Sequence, residues 1–170
     1  VWYLPVFSVL KWISDRCVKK PNIIALKCGA QEQTYQALDQ ASNHVAQVLV
    51  ELGVKPGDCV GLCFDRSLHI MSSILGVLKA GATYVPLDAS YPEGRIRYII
   101  EDASIRWVLT RAAVQNELPS GHWQYIDVEN ELAIKNGAVM RPVLIAPDAE
   151  RLLYLIYTSG STGRPKGTGA

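Results

Sequence analysis

Helical and strand periodicities alternate along most of this 170-residue chain, and that alternation restricts it to an α/β layer more tightly than any single residue does. Val9, Trp12, Ile13 and Cys17 recur at helical spacing, and Pro21 closes that segment. Residues 23–26 and 31–34 flank Gly29-Ala30 and read as a hairpin. Thr34 then suits an N-cap for a helix whose inner face carries Leu38, Ala41, Val45, Val48, Leu49 and Leu52, with Gly53 as its stop. Pro56-Gly57-Asp58 turns into the apolar strand Cys59-Val60-Gly61-Leu62-Cys63-Phe64. The next helix should bury Leu68, Met71, Ile74, Leu75 and Leu78 before Gly81 ends it.

Residues 83–87 read as the following strand, and Pro86 assigns it to an edge or a strand end. Asp88 and Tyr91-Pro92 make a turn, a helix runs over about 92–103, and Trp107-Val108-Leu109 forms another strand. A short helical stretch near Ala112 and a strand over 123–126 complete a βαβ order, which predicts a parallel or mixed sheet with helices on its faces. Residues 128–150 read as polar and irregular. Leu152-Leu153-Tyr154-Leu155-Ile156-Tyr157 has the length and apolarity of a buried strand, ending at Thr158.

The segment after that strand carries the chemistry. Thr158-Ser159-Gly160-Ser161-Thr162-Gly163-Arg164-Pro165-Lys166-Gly167 combines glycines, short hydroxyls and one cation on a long flexible stem. Glycines let backbone N–H groups approach an anion, hydroxyls donate to it, and Lys166 adds a point charge. A polyphosphate suits that set. A Walker A loop needs glycine immediately before its lysine, but Pro165 stands there and has no N–H to offer. A Gly/Ser/Thr linker is the plainer alternative for this segment alone.

Two other stretches bear on the choice: Thr34-Tyr35-Gln36-Ala37-Leu38, and Leu78-Lys79-Ala80-Gly81-Ala82-Thr83-Tyr84-Val85-Pro86-Leu87-Asp88 continuing into Tyr91-Pro92-Glu93-Gly94-Arg95-Ile96. In this order and spacing, the three segments resemble the opening signature motifs of amino-acid adenylation domains from nonribosomal peptide synthetases. Those domains belong to the adenylate-forming, AMP-binding superfamily, together with acyl-CoA synthetases and luciferases. The resemblance runs from about residue 9 to residue 167. It implies an α/β fold equivalent to the N-terminal portion of the large domain of adenylate-forming enzymes, with a mixed or parallel sheet flanked by helices and truncated after the phosphate loop.

By resemblance, the phosphate-loop role falls on Thr158, Ser159, Gly160, Ser161, Thr162, Gly163, Lys166 and Gly167, which would embrace the β- and γ-phosphates of ATP. Arg164 occupies the variable position. The reaction implied has two halves. A carboxylate attacks the α-phosphate of ATP, with Mg²⁺ sharing the charge, to give an acyl-adenylate and pyrophosphate; a phosphopantetheine thiol on a neighbouring carrier domain then takes the acyl group. Carrier and condensation domains in cis and an amino or aryl acid substrate are implied by the same resemblance, as is a place in secondary metabolism. No catalytic residue and no metal ligand is assigned, because the acid-binding region and the C-terminal lid with its lysine correspond to nothing in residues 1–170.

The remaining features are read as architecture. Lys79 suits the negative end of a helix macrodipole, and Asp88 and Arg95 suit a structural ion pair across the turn. His44, His69 and His122 fit surface or satisfied structural positions. Cys17, Cys28, Cys59 and Cys63 lack C-x-x-C or zinc spacing and read as reduced, mostly buried thiols of a cytoplasmic protein. The apolar set makes up 49% of residues, charged residues 19%, and the formal net charge is +1, a balance without the footprint of a nucleic-acid or membrane-surface partner. Pro5 and Lys11 interrupt the apolar N-terminal residues far short of a bilayer span.

Two function classes remain open on the sequence. One is the N-terminal part of a carboxylate-activating enzyme, inactive by itself, with an acyl-CoA synthetase-like ligase as a variant. The other is a truncated noncatalytic relic, a nucleotide-binding or interaction module prone to aggregate through unpaired strand edges.

Overall fold

The structure, a computed structural model, describes residues 6–134, 152–159 and 165–169. Its centre is a four-stranded parallel sheet of order β4-β3-β5-β6, built from β3 (Cys59–Leu62), β4 (Thr83–Pro86), β5 (Trp107–Thr110) and β6 (Gln124–Asp127). Side chains alternate along each strand. Val60, Leu62, Trp107 and Leu109 join Val45, Leu49 and Val77 in one buried cluster. Val85, Val108 and Cys63 join Ile96, Ile99 and Ile100 in another. The helices α2 (Tyr35–Glu51) and α3 (His69–Lys79) thus cover one face, and α4 (Glu93–Asp102) the other. This is the α/β layer expected from the alternation.

Local signals explain most of the boundaries. Thr34 caps α2 by accepting from the Ala37 amide at 3.2 Å. The hairpin of β1 (Ile24–Cys28) and β2 (Gln31–Thr34) turns at Gly29, whose φ is +59°. α2, α3 and α4 all end in the same paired-hydrogen-bond motif, in which a residue with left-handed backbone comes after the cap. Glycine fills that position in the first two, at Gly53 (φ +86°) and Gly81 (φ +75°), whereas α4 uses Ser104 at φ +52°. The Ser104 amide still reaches the Glu101 carbonyl at 3.1 Å, and Ile105 reaches Ile100 at 2.9 Å. Serine there accepts a conformation that glycine adopts without steric cost.

Several expectations are corrected. The first helix, α1 (Val6–Lys19), packs through Leu10 and Ile13, while Val9 and Trp12 are 41% and 51% exposed. The inner face of α3 is built from Ser72, Ser73, Leu75, Gly76, Val77 and Lys79 rather than from Met71, which is exposed. The short helix expected near Ala112 is α5 (Ala112–Gln115), and the stretch after β6 is not irregular throughout: α6 (Val128–Ile134) comes directly after it, with Asp127 accepting from the Glu129 amide at 3.1 Å. A capping aspartate with Glu129 and Glu131 in the first turn is a helix start that its polarity obscured. Residues 135–151 lie outside the described residues.

Lys79 departs furthest from its reading. Its backbone does lie in the last turn of α3, but its side chain is 7% exposed and points into the α2–α3 seam. The ammonium donates to Asp39 Oδ1 at 2.8 Å, Ser42 Oγ at 2.7 Å and Asn43 Oδ1 at 2.7 Å. Three N–H groups meet three oxygens, which satisfies a buried cation. Asp88 and Arg95 do not pair. Asp88 accepts from the Ser90 amide and hydroxyl at 2.8 and 2.7 Å, bonds that hold its carboxyl below the usual range, and Arg95 lies 4.1 Å over the Tyr91 ring.

Candidate functional site

Among the described residues, the apolar run ending at Tyr157 and the Lys166-Gly167 pair form an antiparallel hairpin of β7 (Leu155–Ser159) and β8 (Pro165–Gly169). The run is less buried than expected, since Leu152 is 46% and Ile156 43% exposed, and the strand continues through Thr158 and Ser159. β8 obeys no strand propensity, because Pro165, Gly167 and Gly169 are poor strand formers. It forms by pairing: Thr158 stands opposite Lys166, and Tyr157 opposite Gly167.

The hairpin is tied to the sheet along the free side of β4. Tyr84 pairs with Tyr154 in a parallel bridge, the Tyr84 amide donates to the Leu153 carbonyl at 3.1 Å, and Thr83 Oγ1 donates to the Leu152 carbonyl at 2.8 Å. β4 therefore ends the four-stranded ladder, as Pro86 suggested, yet carries β7 beside it. A parallel orientation means that β7 leaves the sheet at its carboxyl end, the end at which open α/β sheets bind ligands. A groove of about 430 Å³ opens there, lined by Phe64, Leu87, Asp88, Tyr91, Ile156 and Tyr157 among others.

The pleat decides what the hairpin offers. Tyr157 is buried at 7% exposure, and a Cβ on Gly167 would lie 3.3 Å from its ring, so Gly167, though exposed, shares the hairpin face that carries the buried ring. Thr158 and Lys166 then share the opposite, exposed face. No ion pair among the described residues engages Lys166. A hydroxyl donor and an ammonium side by side on an exposed face can take an anion. Gly160, Ser161, Thr162 and Gly163, assigned to the same role from the sequence, lie outside the described residues, as does Arg164.

Other chemistry-bearing side chains serve structure. Arg111 bridges Asp65 at 2.7 Å and Glu129 at 2.9 Å, and His69 lies 3.3 Å from the same Glu129. The four cysteines are free; burial, with Asp88 adding to it, pushes the Cys63 thiol up to about 11, where it is unreactive at neutral pH. Only Cys63 is fully buried, so the expectation of mostly buried thiols is met in part. No helix among the described residues is long and apolar enough to cross a membrane.

The profile of AMP-binding enzymes matches residues 13–168. A linear gramicidin synthase of Brevibacillus parabrevis is 43% identical over 152 residues, covering 87% of this chain and 3% of that protein. Gramicidin S synthase 2 of Brevibacillus brevis is 39% identical over 154 residues, covering 90% of this chain and 3% of that protein. Among solved structures, the nonribosomal peptide synthetase FmoA3 superposes with a TM-score of 0.85 at 26% identity, covering 95% of this chain and 17% of its own. Its AMPPNP-bound form gives a TM-score of 0.84 at 27% identity, with the same coverage of 95% and 17%. The chain thus spans a small part of the proteins it matches.

Proposed function

The chain belongs to the AMP-binding enzyme family, and on that premise we propose that it is the N-terminal part of a nonribosomal peptide synthetase adenylation domain whose hairpin of β7 and β8 holds the β- and γ-phosphates of ATP. The observation that carries this reading is the register of that hairpin, which sets Thr158 and Lys166 on one exposed face at the carboxyl end of the sheet. Ser159 and Gly167 flank this pair. Gly160, Ser161, Thr162 and Gly163 complete the loop in the proposal. The likeness to FmoA3, solved in an AMPPNP-bound form, supports a nucleotide triphosphate as the guest.

The chemistry is a matter of charge. When a carboxylate attacks the α-phosphorus, the bond to the bridging oxygen breaks and negative charge gathers on the departing pyrophosphate. Lys166 and the Thr158 hydroxyl, set on one face by the backbone pairing, would donate to that charge as it appears. Mg²⁺, arriving with ATP as part of the substrate, would share in neutralising it. The hairpin donors suit phosphate oxygens rather than the metal itself, since the described residues of the hairpin carry no carboxylate. The adenylate would then pass to a phosphopantetheine thiol of a carrier domain, with a condensation domain as a further neighbour in cis. The four free thiols suit a reducing compartment, and we assign the reaction to the cytoplasm.

In this reading the acid-binding region and the lid with its lysine lie outside these residues. Residues 1–170 by themselves are therefore expected to give no amino-acid-dependent exchange of labelled pyrophosphate into ATP. Clear exchange from the isolated chain, with any amino or aryl acid, would overturn the assignment to the N-terminal part.

A further inference from the structure

We propose that Tyr157 and Asp102 form the anchor that fixes both legs of the phosphate hairpin against the sheet, making Tyr157 a positioning residue for Thr158 and Lys166. The functional meaning of that anchor rests on the proposed phosphate role of the hairpin.

Three observations carry it. Tyr157 Oη donates to Asp102 Oδ2 at 2.6 Å, across 55 positions of sequence, from a side chain only 7% exposed. The donor keeps its proton: burial first, then the Asp102 acceptor, drives the phenol well above its ordinary range. Asp102, for its part, is the last residue of α4, where a carboxylate meets the negative end of the macrodipole. Glu101 precedes it and no basic residue occupies that turn, so nothing on the helix itself offsets the charge. Asp102 is itself exposed, so solvent screens that charge, and its carboxylate serves as the surface end of the bond that Tyr157 makes from the core. Gly167 supplies the third observation. A Cβ there would lie 3.0 Å from Leu155 Cδ1 and 3.3 Å from Tyr157 Cζ, so the ring lies over the backbone of the downstream leg.

One side chain therefore links three segments: β7 by its own backbone, β8 through contact over Gly167, and α4 through Asp102. The consequence is register. Holding Tyr157 inward, with Gly167 opposite it, turns Thr158 and Lys166 outward together, and a slip of β8 by one residue would turn Lys166 to the other face. Neither Tyr157 nor Asp102 needs to touch a nucleotide for this to matter.

Amide hydrogen exchange on the whole chain without ligand tests the anchor. Tyr157→Phe keeps the ring and removes only the donor. It should speed exchange of the amides at 156–158 and 166–168 by about tenfold while leaving β3 and β5 unchanged. Asp102→Ala should match it, Asp102→Asn, which keeps an acceptor oxygen, should restore most of the protection, and the double variant should lose no more than either single one. The same variants should bind Mg²⁺–pyrophosphate more weakly than the parent. Unchanged hairpin exchange in Tyr157→Phe, or a loss spread evenly over β3 and β5, would overturn the anchor. Failure of the unsubstituted chain to bind pyrophosphate would instead overturn the phosphate reading, while the ligand-free exchange still decides the anchor.

Discussion

Replacing Lys79 with methionine is expected to lower the stability of the chain by about 2–3 kcal/mol, because the cation's acceptors at Ser42 and Asn43 are buried while Asp39, at 29% exposure, keeps some solvent when its partner is lost. At this chain length the loss corresponds to a drop in Tm of several degrees. Methionine fills much of the same volume, so the loss isolates the ammonium. Ser42 and Asn43 are buried, and without Lys79 their oxygens lose the donor at 2.7 Å. Arginine should not rescue the site, because a planar fork cannot present three converging donors where a compact ammonium does. Asp39→Asn in the methionine background should recover part of the loss by removing the stranded carboxylate. Thermal and denaturant unfolding would read both effects. A methionine variant as stable as the parent would mean that the buried network contributes nothing net.

The second large effect lies one turn earlier on the same helix. Gly76 faces α2, and a Cβ there would sit 2.5 Å from Val45 Cγ1, 2.6 Å from Val45 Cβ and 3.0 Å from the Ser42 carbonyl oxygen. Val45 is β-branched and has little rotamer freedom inside a helix, and the Ser42 oxygen is backbone. Neither can move aside alone, so the helices themselves must separate. Gly76→Ala is expected to cost about 1–3 kcal/mol, although alanine is the better helix former by about 1 kcal/mol. Separation would also draw Lys79 away from Ser42 and Asn43, so the two substitutions should be less than additive. The check is a lowered denaturant midpoint at unchanged m-value. A midpoint equal to or above the parent's would show that the seam has room the packing does not reveal.

Lys79 also shows where a sequence stops being legible. A basic residue in the last turn of a helix fits the macrodipole rule, and that reading hid its burial. The signal was present as Asp39, Ser42 and Asn43, three oxygen-bearing residues spaced on one face of the preceding helix, but pairing them with Lys79 required the α2–α3 contact. The same contact explains why the first two motif segments go together: α2, which Thr34 caps, supplies the acceptors, and the Leu78-Lys79-Ala80-Gly81 segment supplies the cation. Strands and helices with apolar runs were legible because burial itself writes the pattern. β8 was not, because Pro165, Lys166 and Gly167 carry no strand preference and form a strand only by pairing with Ser159, Thr158 and Tyr157 of β7. α6 was missed for a related reason, its first turn being acidic rather than periodic. For the candidate site, residue types could be read from composition, but the shared face of Thr158 and Lys166 could not. That face is a property of register.

The central claim is that this hairpin recognises phosphate, and the most direct measurement is a calorimetric titration of the chain with Mg²⁺–pyrophosphate, Mg²⁺–ATP and adenosine, repeated with Lys166→Ala. Pyrophosphate and ATP should bind and adenosine should not, and Lys166→Ala, a change at an exposed position, should weaken both phosphate ligands at least tenfold. Equal binding by the parent and the Lys166→Ala chain, or adenosine binding as tightly as ATP, would contradict that claim.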